Sequence, residues 1–224
     1  MAKVHGIAGE WARVKGTVVG LWPLFLGVFG AGFSCALLMQ EPAIGATGLV
    51  ASLVFMIVSL MKGLRRVESY FKGARGEEKV SGILATLPDS YHVFNDFAAG
   101  GRHVDHVVVG PSGVFAVETK CWRGKVTVED GHILLDGQLP DRPPLKQVLN
   151  EAALVRSTLA AAGWNGQVSP VLVFASDTFV ARSANIRGAV VMNSRELRSS
   201  FSTDRVVIPP AELDRLVILM EHCS

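Results

Sequence analysis

The sequence is poor in charged residues and in cysteine. Only 19% of its 224 residues are Asp, Glu, Lys or Arg, whereas an average soluble domain has about 25%. Its three cysteines form no Cys-x-x-Cys pair, so we expect neither a disulfide framework nor a structural zinc site. It also lacks a glycine-rich phosphate loop ending in Lys-Ser/Thr, so we expect no nucleotide cofactor. The chain is 49% hydrophobic, which predicts that part of it meets lipid.

The apolar excess lies in two runs near the N-terminus. Residues 17–39 and 43–61 contain no ionisable side chain and are 23 and 19 residues long, close to the roughly 20 residues that a helix needs to cross a bilayer. A signal peptide is the alternative for the first run, because basic residues precede it. That run is longer than the roughly 7–15 residues of a signal core, and a second run follows at once. We therefore predict a transmembrane hairpin over 17–61.

Basic residues flank this hairpin on both sides, and only Glu41 lies between its helices. By the positive-inside bias, we expect a multi-pass protein of the cell (inner or plasma) membrane, with both termini and the soluble domain in the cytoplasm. Neither apolar run carries a charge, so an anchor is expected rather than a transport path. The flanking basic residues are Lys3, Arg13, Lys15, Lys62, Arg65, Arg66 and Lys72.

The chain is expected to divide into four parts. These are a cytoplasmic N-terminal segment (1–16), the hairpin (17–61), a basic juxtamembrane linker (62–75) and one soluble domain (76–224). In the domain, apolar residues at helical spacing predict helices over 76–87, 145–162 and 210–222. Runs of β-branched residues predict strands over 91–97, 104–109, 114–120, 125–128, 133–135, 171–174 and 189–192. This pattern predicts an α/β fold with a three-layer core.

The most regular pattern is a β-hairpin around the turn Gly110-Pro111-Ser112-Gly113. If Val109 faces Val114, the numbers of facing residues sum to 223, and Asp105 lies opposite Glu118. Facing side chains of an antiparallel pair have Cβ atoms about 4.5–5.5 Å apart, and like charges placed there destabilise the sheet. The pair therefore needs a proton, contact with solvent or a bound cation.

Lys120 lies two residues beyond Glu118, on the same face of the same strand. Two acids and an amine are then expected at one strand end. This set suits hydrolysis of a phosphodiester, because carboxylates hold Mg²⁺, the metal activates water, and the lysine stabilises developing negative charge. The spacing is equally compatible with polar residues on an exposed face, where Lys120 is only a salt-bridge partner.

Several blocks of the sequence resemble the NERD (nuclease-related domain) family. They are Gly76-Glu77, Val104-Asp105-His106-Val107-Val108-Val109, Gly113-Val114-Phe115-Ala116-Val117-Glu118-Thr119-Lys120 and Trp122-Arg123-Gly124. That family is grouped with restriction-endonuclease-like nucleases, whose signature is an Asp followed on the next strand by Asp/Glu-x-Lys. The resemblance implies a restriction-endonuclease-like three-layer core with a mixed central sheet.

The resemblance also implies roles for individual residues. Asp105 and Glu118 would be ligands of Mg²⁺ or Mn²⁺, and Lys120 would stabilise charge or orient water. Glu77 would be a further acid near the metal, although a helix N-terminus also favours acids for structural reasons. Gln147 is similar to a glutamine that opens the helix after the sheet in this family, and would orient water or substrate.

Three basic residues near this set are candidates for contact with substrate phosphate. His103 falls opposite Lys120 in the same register, and Arg123 and Lys125 follow the strand. A solvated strand face explains Arg123 and Lys125 equally well. His106 points to the opposite face of the sheet and is expected to be a packed or hydrogen-bonded histidine.

The sequence thus predicts a membrane-anchored, Mg²⁺-dependent nuclease that acts on DNA or RNA. The alternative is a nuclease-derived module that binds nucleic acid or a protein without cutting. A further alternative is a scaffold whose cytoplasmic domain only assembles a complex. Paired hairpins would also allow a homodimer.

Overall fold

A computed structural model of the chain describes residues 1–176, 179, 183–201 and 206–223. The chain divides into two compact units. The first combines Met1–Glu10 with Gly73–Ser224, and the second is Trp11–Lys72. The first ten residues, which precede the apolar runs, therefore belong to the same unit as Gly73–Ser224.

Two long helices dominate the N-terminal part of the chain. They are α1 (Glu10–Leu37) and α2 (Pro42–Leu84), and both are long and apolar enough to cross a membrane. Within Trp11–Lys72, small residues allow the helices to approach closely. A methyl group added at Gly48 would lie 2.6 Å from Ser34 Oγ, and one added at Gly30 would lie 2.8 Å from Ser52 Oγ.

The helix predicted over 76–87 is the last part of α2, which ends at Leu84. No proline occurs between Pro42 and Pro88, so nothing in this stretch removes a backbone donor from the helix. The sequence pattern changes character along α2, from apolar to amphipathic, and this change had suggested separate elements.

The remaining elements build the unit that contains Gly73–Ser224. The strands are β1 (Lys3–His5), β2 (His92–Ala99), β3 (Arg102–Gly110), β4 (Gly113–Lys120), β5 (Val126–Glu129), β6 (His132–Leu135), β7 (Val168–Phe174), β8 (Ala184–Ile186) and β9 (Ala189–Asn193). The helices are α3 (Pro144–Ala161), α4 (Leu197–Phe201) and α5 (Pro210–Cys223). Seven strands form one sheet in the order β1-β2-β3-β4-β7-β9-β8, and β5 and β6 form a separate hairpin.

The large sheet is mixed, with helices on both faces. Neighbours β4, β7 and β9 run parallel, whereas β3 pairs antiparallel with both β2 and β4. On one face, α3 and α5 cover a buried cluster that includes Val107 and Ala116. On the other face, Val80 and Leu84 of α2, together with α4, cover Val108 and Val117. The prediction of an α/β fold with a three-layer core and a mixed sheet is confirmed.

The predicted hairpin has the predicted register. Val109 pairs with Val114 and Gly110 with Gly113, so facing residues sum to 223. Alternate residues of both strands are buried against α3, and a shift by one residue would turn them to the other face. The apolar core therefore fixes the register that decides where the acidic residues lie.

Two strands, β1 and β8, were not predicted. The three residues of β1 pair in parallel with β2, Val4 opposite Val93, and the backbone N–H of Lys3 donates to Tyr91 O at 3.0 Å. A run of three residues is too short to show a periodicity, so the sequence alone gave no signal for it. The first residues of the chain thus complete one edge of the sheet.

Replacing Leu159 of α3 with alanine should destabilise the soluble unit. Its side chain is fully buried in the cluster beneath α3, and a Leu→Ala change in a core costs about 2–5 kcal/mol. Hydrogen exchange of the α3 amides in the full-length protein, held in detergent at increasing urea, would measure the loss. Leu139→Ala is the matched control, because Leu139 is 64% exposed. Equal effects of the two substitutions would contradict this account of the core.

Candidate active site

Three carboxylates lie in a row across neighbouring strands. Asn95 of β2 pairs with His106 of β3, and Phe97 pairs with Val104, so Asp96 comes to lie beside Asp105. The pair His106–Val117 is followed by Asp105 on β3 and by Glu118 on β4, so extending this register by one residue places Asp105 next to Glu118. The registers of the β2–β3 hairpin and of the β3–β4 hairpin, each set by its own turn, therefore place Asp96, Asp105 and Glu118 in a row.

Both β2 and β3 are distorted at this row. Asp96 has a φ of 54°. The pairs on either side of Asp96 and Asp105 keep one register, but these two residues do not form a ladder pair with each other. Phe94 and Phe97 pack into the same core cluster, as do Val104 and Val107. Residues three apart on a regular strand face opposite sides, so the strands must twist at Asp96 and Asp105. This twist changes the direction in which Asp105 points.

The carboxylate of Asp105 points towards β4. Its Oδ2 accepts a hydrogen bond of 2.8 Å from the backbone N–H of Thr119. A side chain thus takes the place of a backbone partner beyond His106–Val117, the last pair of β3 with β4. This contact holds Asp105 beside the residue that follows Glu118.

Glu118 is the most enclosed acid of the site, with 2% of its surface exposed. Its Oε1 accepts hydrogen bonds from Lys120 Nζ, with which it forms an ion pair, and from Gln147 Nε2 at 2.7 Å. Its Oε2 is buried and has no hydrogen-bond partner among the described residues. A buried carboxylate oxygen without a partner is costly, so this atom is available to a proton, a water or a cation.

Gln147 links the sheet to α3. Its Oε1 accepts a hydrogen bond of 2.9 Å from Lys120 Nζ, and its Nε2 donates both to Glu118 and, at 2.9 Å, to Glu151 Oε1. Proline is favoured in the first turn of a helix, and Pro144 begins α3 three residues before Gln147. The glutamine therefore enters the site from the first turn of the helix.

Glu77 approaches the same acids from α2. The preceding Gly76 lies so close to β4 that an added methyl group would be 2.9 Å from Cys121 Cβ. The backbone N–H of Gly9 donates to the Glu77 carboxylate. Burial, with the nearby carboxylates of Glu118 and Asp96, raises the pKa of Glu77 to about 7. Sequence reasoning had placed Glu77 near the metal, and the structure brings it into electrostatic contact with Glu118 and Asp105.

The other titratable groups respond to the same crowding. Burial, and then the charges of Glu118 and Glu77, raise the pKa of Asp105 well above its usual range. Burial raises the pKa of Glu151 to about 9, with help from neighbouring Glu118. Burial alone would lower the pKa of Lys120, but the carboxylates around it, that of Glu118 first, raise it. Lys120 is therefore charged at neutral pH.

The predicted substrate-binding residues are less closely connected to this network. His103 Nδ1 lies 3.1 Å from Asp96 Oδ1, at the outer end of β3. Arg123 and Lys125 are exposed in the segment between β4 and β5. His106 lies on the opposite face, fully buried, with its Nδ1 2.8 Å from Asn95 Oδ1. Burial lowers the pKa of His106 to about 3, so it is neutral, as expected of a packed histidine.

Two acids of the site were missed by sequence reasoning. A two-residue turn at Gly100-Gly101 would have placed Asp96 opposite Asp105 by the same arithmetic used for the next hairpin. Glu151 lies four residues after Gln147, which puts both side chains on the same face of a helix. Both signals were present in the sequence, but neither residue stands out without its partner.

The donor set suits a hard cation. Among the described residues, no three His, Cys, Asp or Glu side chains are arranged to hold a metal ion by themselves. Mg²⁺, however, usually takes one or two carboxylates and completes its shell with water and substrate phosphate. Asp105 and Glu118, with the unpartnered Glu118 Oε2, provide such a pair.

Part of the chain is similar to known proteins. Residues 72–175 match the sequence model of the nuclease-related domain, NERD. An uncharacterized protein from Bacillus anthracis is 31% identical over 78 residues, which cover 32% of this chain and 37% of that protein. The chain thus spans little more than a third of the length of this curated relative. No solved structure matches the chain.

The raised pKa of Glu151 predicts a pH dependence of stability in metal-free buffer. In the folded protein the pKa of Glu151 is about 9, against 4.5 for an unperturbed glutamate, so the folded protein holds this proton over a wider pH range. Stability from this group is present at low pH and is lost as pH rises through that window, by up to about 1.4 kcal/mol per pH unit.

Glu151→Gln should lack this loss, so its free energy of unfolding should exceed that of the wild type increasingly between about pH 5 and 8. Urea unfolding with a chelator present would measure both proteins. Glu212→Gln, in α5, controls for the change of a hydrogen-bonded carboxylate to an amide, because Glu212 accepts from Trp164 Nε1 at 3.0 Å. Parallel curves for wild type and Glu151→Gln would contradict the prediction.

Proposed function

We propose that this chain is a membrane-anchored, metal-dependent nuclease that hydrolyses phosphodiester bonds of DNA or RNA. One observation carries the proposal. Glu118 shares one oxygen with Lys120 and Gln147 and lies beside Asp105, and its other oxygen is buried with no hydrogen-bond partner in the described part of the chain. Asp105, Glu118 and Lys120 come from one hairpin, and Gln147 comes from α3. All four residues lie within the segment that matches the nuclease-related domain.

Each residue then has a chemical task. Asp105 and Glu118, with Glu77 nearby, would hold Mg²⁺ or Mn²⁺, which as a Lewis acid polarises the phosphate and lowers the pKa of bound water. Lys120 stays charged and stabilises negative charge that develops on the scissile phosphate. Gln147 fixes both Lys120 and Glu118, so the cation and the metal ligand keep a constant separation.

The exposed basic residues near the site suit contact with the nucleic-acid backbone. Arg123 and Lys125 follow β4, whose end carries Lys120. Phosphate contacts of this kind position a substrate without reading its sequence. We assign His103, Arg123 and Lys125 to this role.

Substitution of the acids or of the lysine should abolish cleavage. Asp105→Asn and Glu118→Gln remove metal-binding charge, and Lys120→Met removes the cation, with little change in size. Each should lower kcat by at least about 100-fold, the usual cost of losing one group that stabilises the transition state. The measurement is Mg²⁺- or Mn²⁺-dependent cleavage of labelled single- and double-stranded DNA and RNA by the full-length protein in detergent.

Lys146→Ala is a matched control for the lysine, because Lys146 is exposed on α3 next to Gln147. Asp89→Ala serves for the acids, because Asp89 is exposed outside the site. Failure of the folded wild type to cut any of these substrates with either metal would refute the nuclease proposal. Binding without cutting would then favour the non-catalytic module.

The membrane anchor rests on the apolar surface of α1 and α2. Phe25, Phe29 and Phe33, spaced four apart on α1, are 75%, 76% and 62% exposed. On α2, Ile57 is 59% exposed. Large exposed apolar patches are rare in soluble proteins, whereas a bilayer buries such surfaces over the length of both helices.

The pairing of β1 with β2 supports a specific topology. Residues on both sides of the two apolar helices belong to one sheet. A chain that crosses a membrane between two paired strands must cross it an even number of times. Two crossings satisfy this condition, and the basic flanks assign both ends to the cytoplasmic face of the cell membrane.

The turn between the helices should therefore be exposed outside the cytoplasm. Met39, 93% exposed in that turn, is replaced by cysteine in a chain whose Cys35, Cys121 and Cys223 are changed to serine. A membrane-impermeant maleimide should label Met39→Cys in intact cells. A cysteine at Asp89 should be labelled only after lysis. Labelling of both positions in intact cells, or of neither, would contradict the topology.

A further inference from the structure

Glu151 is a buried acid that the proposed mechanism does not use. It lies in α3, one turn after Gln147, with 6% of its surface exposed. Its Oε1 accepts a hydrogen bond of 2.9 Å from Gln147 Nε2, and its Oε2 has no partner among the described residues. Burying a carboxyl group with an unsatisfied oxygen is unfavourable. Its position therefore calls for an explanation other than packing.

The stability of the fold does not explain a buried carboxyl group at position 151. The next residues on the buried side of α3, Val148, Ala152 and Val155, are apolar and pack in the core. In such surroundings an apolar side chain of similar volume is often as stable as a buried charged group, or more stable. A leucine at position 151 would continue the apolar face of the helix.

The contacts of Gln147 show what Glu151 does. The side-chain amide of Gln147 has two N–H groups and one carbonyl oxygen. The amide nitrogen donates to Glu118 and to Glu151, and the oxygen accepts from Lys120. With Glu118 alone, one amide N–H would lack a protein acceptor in a part-buried site. Glu151 is the second acceptor.

We propose that Glu151 is a positioning residue of the active site. It fixes the Gln147 amide and, through it, the separation of Lys120 from Glu118. The inference rests on the proposed nuclease function. Glu151 acts neither as a metal ligand nor as a proton donor in this proposal. Its role needs only the carboxyl oxygen that accepts the hydrogen bond from Gln147.

The test compares substitutions that keep or remove this acceptor. In the full-length protein in detergent, Glu151→Leu should lower kcat for the labelled oligonucleotide that the wild type cuts best by about 10–100-fold, the usual effect of losing a group that orients a site residue. KM should change less than about two-fold, because no substrate contact is lost. Glu151→Gln should restore kcat to within about three-fold of wild type, since its amide oxygen can accept the same hydrogen bond.

A double-mutant comparison separates positioning from a general structural effect. If Glu151 acts through Gln147, adding Glu151→Leu to Gln147→Ala should lower kcat no further than Gln147→Ala alone. Thermal unfolding of each variant is measured beside the kinetics. Glu212→Gln, which alters a carboxylate that accepts from Trp164 in α5, should leave kcat unchanged.

Four results would overturn the inference. They are wild-type kcat in Glu151→Leu, additive losses in the double variant, failure of Glu151→Gln to restore kcat, and loss of folding in both Glu151→Leu and Glu151→Ala. Failure of the nuclease proposal is recognised separately, because the wild type itself would then not cut.

Discussion

The candidate site contains more acidic than basic side chains, and the packing of the protein core keeps these side chains close together. Four carboxyl groups interact with one another around a single ammonium group, and burial weakens the screening that water would provide. The imbalance appears as raised pKa values of Glu77, Asp105 and Glu151. It also appears as one oxygen each of Glu118 and Glu151 that has no hydrogen-bond partner among the described residues. Left to themselves, these groups would separate. The structure keeps them together because they are attached to elements whose positions are set elsewhere.

The restraint comes from apolar residues away from the site. Val107, Val109, Val114 and Ala116 lie under α3 and fix the register of β3 with β4. The same register carries Asp105 to Glu118, so the sheet cannot relieve their repulsion by sliding without exposing its core. The crowded acids are thus stabilised by hydrophobic burial, and a bound cation would recover part of the electrostatic cost.

The sequence predicted the hairpin register correctly, because a local turn determines which residues of the two strands face each other. The turn at Gly110-Pro111-Ser112-Gly113 was sufficient to place Asp105 beside Glu118, because register propagates along a hairpin from its turn. Sequence reasoning failed for Glu151, whose importance depends on which face of α3 meets the sheet. It also failed for β1, because a parallel partner can lie at any distance along the chain, and three residues contain no pattern. The distortion at Asp96 could not be foreseen either, since a single residue with positive φ inside a strand leaves no periodic pattern in the sequence.

The edge strand β1 has a consequence for the order of assembly. Its partner β2 begins almost ninety residues later in the chain, on the far side of both apolar helices. During synthesis the residues of β1 stay unpaired until β2 has emerged. Contacts between such distant segments form late and slowly. Under the membrane topology proposed above, β1 and β2 can pair only in chains whose two helices have both ends on one side of the bilayer, so completion of the sheet depends on correct insertion.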